Sequence, residues 1–258
     1  MNLFDPKDVQ HHLEIIDGEW VGHYGDYILK SVFQPIWNKS LSEIYGYEGL
    51  TRVSKGTKSI DPTHFFTLFA DATEITNVGI ICASIHVRNY SNAYLKKKLF
   101  INVHPTMFAQ ISGDQYSISK VFERLASVGI DCNQMVWEIT EFEENDTKKL
   151  LSGLSDFKEF GNQIAVDDFG NKESNHKRVN LLNPDIVKID RALVREYCQG
   201  VNSTYLPQLL NKLHQNGRQT VLEGIETELE YSMLESLSFD FIQGYYSGRP
   251  YRLRRETK

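Results

Sequence analysis

A single (β/α)8 barrel is the fold class that this sequence predicts, and three observations predict it. Short apolar runs rich in β-branched and aromatic residues alternate with longer amphipathic stretches from about residue 31 onward. The strand-like runs number about eight, which is the count that closes a barrel. A chain of 258 residues, 41% of them hydrophobic, is long enough for one such barrel without a second domain.

In chain order, residues 1–28 form a polar leader, read as an extra helix at most, and the barrel domain spans residues 29–251. Strands are predicted at Ser31–Trp37, Ile44–Leu50, Leu99–Val103, Met135–Ile139, Gln163–Val166, Ile186–Ile189, Gln219–Leu222 and Phe241–Gln243. Helices fill the gaps at Thr63–Thr76, Ile80–Lys97, Ser117–Val128, Thr147–Phe160, Thr204–Asn216 and Glu226–Leu237. Gly129, Gly161 and Gly217 each follow a helix, where a left-handed cap calls for glycine. Residues 252–258 are a basic tail with a solvated default. Phe65, Phe66 and Phe69 have helical spacing and read as core or a subunit contact.

Composition narrows the function. The net charge of -6 leaves no broad cationic field for a nucleic-acid polymer. Cys82, Cys132 and Cys198 are odd in number, far apart and form no CxxC pair, which argues against disulfides or zinc and for a reducing compartment. No stretch approaches the ~20 apolar residues of a membrane span, so the expected setting is cytoplasmic. No GxSxG turn supports a serine triad. His11 and His12 read as solvent-facing, and His104 as a loop histidine bonded to backbone.

Within the strand-like runs sit polar groups that are costly to bury alone. Glu48, Asn102, Glu138, Asp167, Lys188, Glu223 and Gln243 each fall in or just after a different predicted strand. Taken singly, each has a bland explanation as a salt bridge or a wet strand end. Jointly, such positions converge on the rim where barrel strands end, which is where this architecture builds its sites. Asp167 and Asp168 are an adjacent pair of acids, and oxygen ligands of this kind suit hard divalent cations. Clustered carboxylates repel one another unless a cation neutralises them.

These runs carry FQPI at 33–36, YGYEGLTR at 45–52, INVHP at 101–105, WEITE at 137–141, VDDFG at 166–170, PDIVKID at 184–190, LEGIET at 222–227 and QGYYSGRP at 243–250. In number and order they resemble the EAL-domain family of cyclic di-GMP phosphodiesterases, whose fold is a TIM-like (β/α)8 barrel. The resemblance implies that Glu48, Asn102, Glu138 and Asp167 bind one metal, with Asp167, Asp168 and Glu223 around a second. The cations would be Mg2+ or Mn2+, two per site. It further implies Glu223 as general base, Lys188 as the water-binding lysine, and Gln243 as the glutamine beside the reacting phosphate. Arg52 matches an arginine that meets a ligand phosphate, Gln34 contacts ligand near the barrel mouth, and Glu141 anchors the loop after the aspartates. The implied product is the linear dinucleotide pGpG, and a homodimer is among the implied partners.

Two departures from the family pattern stand out. The Glu-Ala-Leu triplet is Glu48-Gly49-Leu50 here, and the expectation is that this has little effect because the middle side chain points away from Glu48. After Gly170 the chain reads Asn171-Lys172-Glu173-Ser174-Asn175 where the family has Thr-Gly-Tyr-Ser-Ser. Lys172 removes backbone freedom and adds a cation there. The alternative reading is therefore a weak or inactive domain that serves as a cyclic di-GMP receptor or protein-interaction module.

Overall fold

The computed structural model describes residues 6–254 apart from 70, 94, 141–145, 171–173 and 202. Helix α1 (Pro6–Gln10) leads into β1 (Leu13–Ile16) and β2 (Glu19–Tyr24), a hairpin turned at Asp17 and Gly18. Both turn residues have positive φ, 52° and 79°, as a tight turn matched to strand twist requires. This part of the leader, read from sequence as helix at most, is thus mostly strand.

Strands β3 (Tyr27–Asn38) and β4 (Ile44–Lys55) follow, then β5 (Lys58–Ile60), α2 (Pro62–Thr67), α3 (Ala72–Asn92) and β6 (Lys98–Val103). Helices α4 (Thr106–Ile111) and α5 (Gln115–Ser127) precede β7 (Met135–Ile139), and α6 (Thr147–Glu159) precedes β8 (Gln163–Phe169). The chain continues through α7 (Ser174–Leu182), β9 (Ile186–Ile189), α8 (Arg191–Cys198) and α9 (Tyr205–Gln215) to β10 (Gln219–Leu222), α10 (Glu228–Leu234) and β11 (Phe241–Ile242).

Eight of these strands close the predicted barrel, in the order β3-β11-β10-β9-β8-β7-β6-β4 with β4 pairing back to β3. The pairs from β4 round to β11 are all parallel, whereas β3 runs antiparallel to both of its neighbours. The first unit is therefore a hairpin rather than a strand-helix-strand unit. Residues 39–43 are too few for the dozen or more that a parallel crossover needs.

Strands β3 and β4 are each 12 residues long and outrun the barrel. Beyond it, β2 pairs with the start of β3 and β5 with the end of β4, which makes a five-stranded antiparallel lobe in the order β1-β2-β3-β4-β5. The lobe has its own apolar cluster, in which Leu29, Val53, Phe65, Ile81 and Ile85 are buried and Phe66 and Phe69 pack alongside. Of the phenylalanine run, Phe65 is core, and Phe66 and Phe69 are partly buried against it.

The helix predicted over Thr63–Thr76 is two helices. The Asp71 carboxylate accepts from the Thr73 and Glu74 backbone N–H groups and so starts α3 afresh. Helices α4, α7 and α8, of six to nine residues, have no counterpart in the prediction. Gly129, Gly161 and Gly217 take φ of 76°, 84° and 73°, as their capping positions demand. Among the described residues, no helix is long and apolar enough to cross a membrane.

Candidate metal-binding active site

Two stacked layers of side chains fill the barrel. The lower is apolar and includes Ile36, Phe100, Val136, Ala165, Ile186, Val221 and Phe241. Two residues further along each strand in the direction of β4, one repeat of the pleat, the same inward face carries a polar layer. Phe100 is followed by Asn102, Val136 by Glu138, Ala165 by Asp167, Ile186 by Lys188, Val221 by Glu223 and Phe241 by Gln243. On antiparallel β3 the step runs backward, from Ile36 to Gln34, which pairs across to Glu48.

Lys188 is the hub of this layer and is 1% exposed. Its Nζ lies 2.8 Å from Glu223 Oε1, 3.0 Å from Glu138 Oε1, and 3.2 Å from both Glu48 Oε2 and Asp167 Oδ1. Glu48 also accepts from Asn102 Nδ2 at 2.7 Å and from Gln243 Nε2 at 2.6 Å. Gln243 reaches Gln34 Oε1 at 3.4 Å, and Gln34 donates to the Gly248 carbonyl at 3.1 Å.

One ammonium among four carboxylates leaves an excess of negative charge. Burial and the neighbouring Glu48 carboxylate push the Glu138 pKa well above the usual range, and Lys188 only partly offsets this. Burial likewise raises Glu223 strongly, with Asp167 and Glu48 adding to the effect. Burial works against the charged form of Lys188, but the surrounding acids outweigh it and hold the ammonium protonated. Burial also works to raise Glu48, yet Lys188, Gln243 and Asn102 together bring its pKa below normal. Glu138 Oε2 is buried without a hydrogen bond, and Glu138 Oε1 and Asp167 Oδ1 meet the shared Lys188 ammonium as ion pairs without a well-formed hydrogen bond. The orphaned Glu138 Oε2, beside carboxylates that share one ammonium, fits the coordination of a cation, since buried polar atoms otherwise find partners.

Adjacent residues on a regular strand point to opposite faces, so Asp167 and Asp168 should not share a site. A one-residue bulge solves this: Val166 pairs with Val187 but Phe169 with Ile189, so the β8 strand carries one residue more than its partner between those pairs. Asp168 takes the left-handed φ of 54° at that point. The result is a group of ligand oxygens from Asp167, Asp168 and Glu223 that lie within 4.8 Å of one another. Of the polar layer and this acidic group together, the residues fit a hard divalent cation in donor type, number and charge.

Glycines frame the acids. Gly224, at φ 69°, turns the chain after Glu223 where a Cβ would come within 2.2 Å of Arg191 Cβ. A Cβ on Gly244, after Gln243, would meet the Ile225 carbonyl at 2.0 Å. Without those side chains the turn after β10 packs on the start of α8, and the turn after β11 packs on the turn after β10.

Arg52 is not drawn into the cluster. It is exposed, four residues beyond Glu48, and its Nη1 donates to the Thr51 carbonyl at 3.1 Å. His104 accepts from the Thr106 backbone N–H at 3.3 Å and stays out of the polar layer. Glu141 and residues 171–173 lie outside the described residues. Sequence reasoning passed over His86 on α3, which packs behind the Glu48 strand and bonds Ser31 Oγ at 2.9 Å and Thr51 Oγ1 at 3.2 Å. A histidine on the inner face of an amphipathic helix was the available signal.

A family model described as the EAL domain matches residues 28–250. Among curated proteins, the chain is 27% identical over 234 residues to the probable cyclic di-GMP phosphodiesterase PdeA of Escherichia coli, covering 88% of this chain and 31% of that protein. The chain thus spans about a third of the length of that relative, as it does of others it matches. Among solved structures, a standalone EAL protein from Vibrio cholerae O395 in its c-di-GMP-bound form superposes with a TM-score of 0.75 at 26% identity, covering 88% of this chain and 94% of that one. The YkuI protein of Bacillus subtilis, solved with c-di-GMP and calcium, gives a TM-score of 0.73 at 23% identity over 89% of this chain and 58% of its own.

Proposed function

The chain belongs to the EAL domain family, and from that premise we propose that it is a metal-dependent phosphodiesterase that opens cyclic di-GMP to linear pGpG. The observation that carries the proposal is the excess of carboxylates around Lys188, with Asp168 beside them, at the rim of the barrel.

Glu48, Asn102, Glu138 and Asp167 would hold one Mg2+ or Mn2+, and Asp167, Asp168 and Glu223 a second. Bound there, the cations would supply Lewis-acid activation of a water and neutralise phosphate charge. Glu223 takes the proton from the attacking water, a role suited to a carboxylate whose basicity burial and the neighbouring acids raise. Water oxygen bonds to phosphorus, the P–O3′ bond breaks, and the released oxygen takes up a proton, so the product carries one new terminal phosphate. Lys188 steadies the negative charge that develops on the phosphoryl oxygens. Gln243, held between Glu48 and Gln34, keeps its amide facing the phosphate. Gln34 lines the mouth and Arg52 meets a ligand phosphate from the wall, as a guanidinium fork suits. A reducing, cytoplasmic setting accords with the three free cysteines.

Purified protein incubated with cyclic di-GMP and excess Mn2+ should yield pGpG by chromatography. No turnover at any protein concentration overturns the enzymatic reading. The sequence after Gly170, with Lys172 in place of a glycine, favours a second reading as a receptor. Calorimetry in Ca2+ separates the two, because a receptor binds the ligand tightly and leaves it intact in Mn2+.

A further inference from the structure

The antiparallel register of β3 and β4 is unbroken from Tyr27 to Ile36, and it sets Lys30 directly opposite Arg52. Counting along the same face, Val32 faces Leu50 and Gln34 faces Glu48. Lys30 and Arg52 therefore stand on the face that carries the active-site pair Gln34 and Glu48, four residues or about 14 Å along the strands. The opposite face, with Leu29, Ser31, Phe33 and Val53, is buried. Lys30 is half-buried and Arg52 exposed.

Like charges placed directly across an antiparallel pair repel and destabilise the sheet. Among the described residues neither cation has a carboxylate partner, and Arg52 donates only to its neighbour's carbonyl. This arrangement becomes favourable when an anion sits between the two heads, whose Cβ atoms in such a pair are about 5 Å apart. A cyclic dinucleotide carries two phosphates, and only one can lie over the carboxylate cluster at a time.

We infer that Lys30 is a ligand-binding residue that, with Arg52, takes the phosphate not being cut and so helps set affinity for a doubly charged ligand. The inference rests on the cyclic di-GMP reading above and adds Lys30 to its binding wall. Because Lys30 lies far from the carboxylates, it acts on binding and leaves the chemical step alone.

The test is calorimetry with cyclic di-GMP in Ca2+, alongside kinetics in Mn2+ and melting of the ligand-free protein. Lys30→Met should weaken binding about tenfold, the loss of one charge-assisted hydrogen bond, and raise KM with kcat unchanged. The same change should raise the melting temperature of the free protein, since it removes the repulsion with Arg52. Lys30→Arg should restore wild-type affinity, which a packing role for the stem alone would not require. Lys30→Met that binds as wild type does overturns the inference and leaves the proposed function standing. Wild-type protein that binds no cyclic di-GMP overturns both.

Discussion

Gly49 lies so close to His86 that a Cβ added to it would sit 2.9 Å from the imidazole Cγ. The imidazole is wedged between Ser31 Oγ and Thr51 Oγ1, one on each of the two long strands, and so cannot easily swing aside. Glycine at the middle position of the Glu48-Gly49-Leu50 triplet, in place of the family's alanine, was expected from sequence to have little effect, because that side chain points away from Glu48. The structure shows that glycine is the residue that His86 leaves room for.

Gly49→Ala should therefore cost about 1–3 kcal/mol, the usual penalty of overpacking a core. The second change His86→Ala should return most of that loss by opening the space. Urea denaturation of the two single variants and the double variant measures the coupling, and simple additivity would remove His86 as the cause.

Burial pushes the His86 pKa down from 6.5 to about 3, with Glu48 opposing only weakly. The unfolded chain takes up a proton at this residue below pH 6.5, while the folded protein resists until about pH 3. Stability associated with His86 is thus fully present above pH 6.5 and lost as pH falls through that window. By pH 5 the loss is about 2 kcal/mol relative to neutral pH. His86→Gln cannot protonate, so its stability between pH 7 and pH 4 should fall less steeply than that of wild type in denaturant titrations. Parallel curves would count against the assignment.

Glu138 is fully buried, and burial with the neighbouring Glu48 carboxylate shifts it toward the neutral acid. Glu138→Gln keeps the shape of that neutral acid, and the metal-free variant should melt within a few degrees of wild type. A neutral amide cannot stand in for an anionic ligand, so Mn2+ affinity should fall by about tenfold or more. Calorimetric titration with Mn2+ reads this directly. Unchanged affinity would take Glu138 out of the proposed ligand set.

The polar layer was legible because charge inside an apolar strand is rare, and Glu138 in MVWEI or Lys188 in DIVKI stands out on any reading. The alternation that marks those strands also fixes their inward parity, so convergence on one rim followed from the barrel alone. What stayed hidden depends on pairings between distant residues. The bulge that turns Asp167 and Asp168 to one site exists only against the register of β9. The opposition of Lys30 and Arg52 is likewise a property of the hairpin, since Lys30 alone reads as an ordinary solvated charge. The Asp17-Gly18 turn was a local signal for the lobe, but it lay in a segment whose acids and histidines resemble a leader.

The two long strands join three apolar clusters, among them the outer one that holds Leu29, Val53 and Phe65 and the one inside the barrel that holds Ile36 and Phe241. The outer sheet and the barrel should melt together, because the strands that β2 and β5 pair with are continuous with the backbone that presents Glu48. Cooperativity is thus wired into shared polypeptide rather than into an interface, and amides of the outer sheet should exchange with solvent at the pace of the whole molecule.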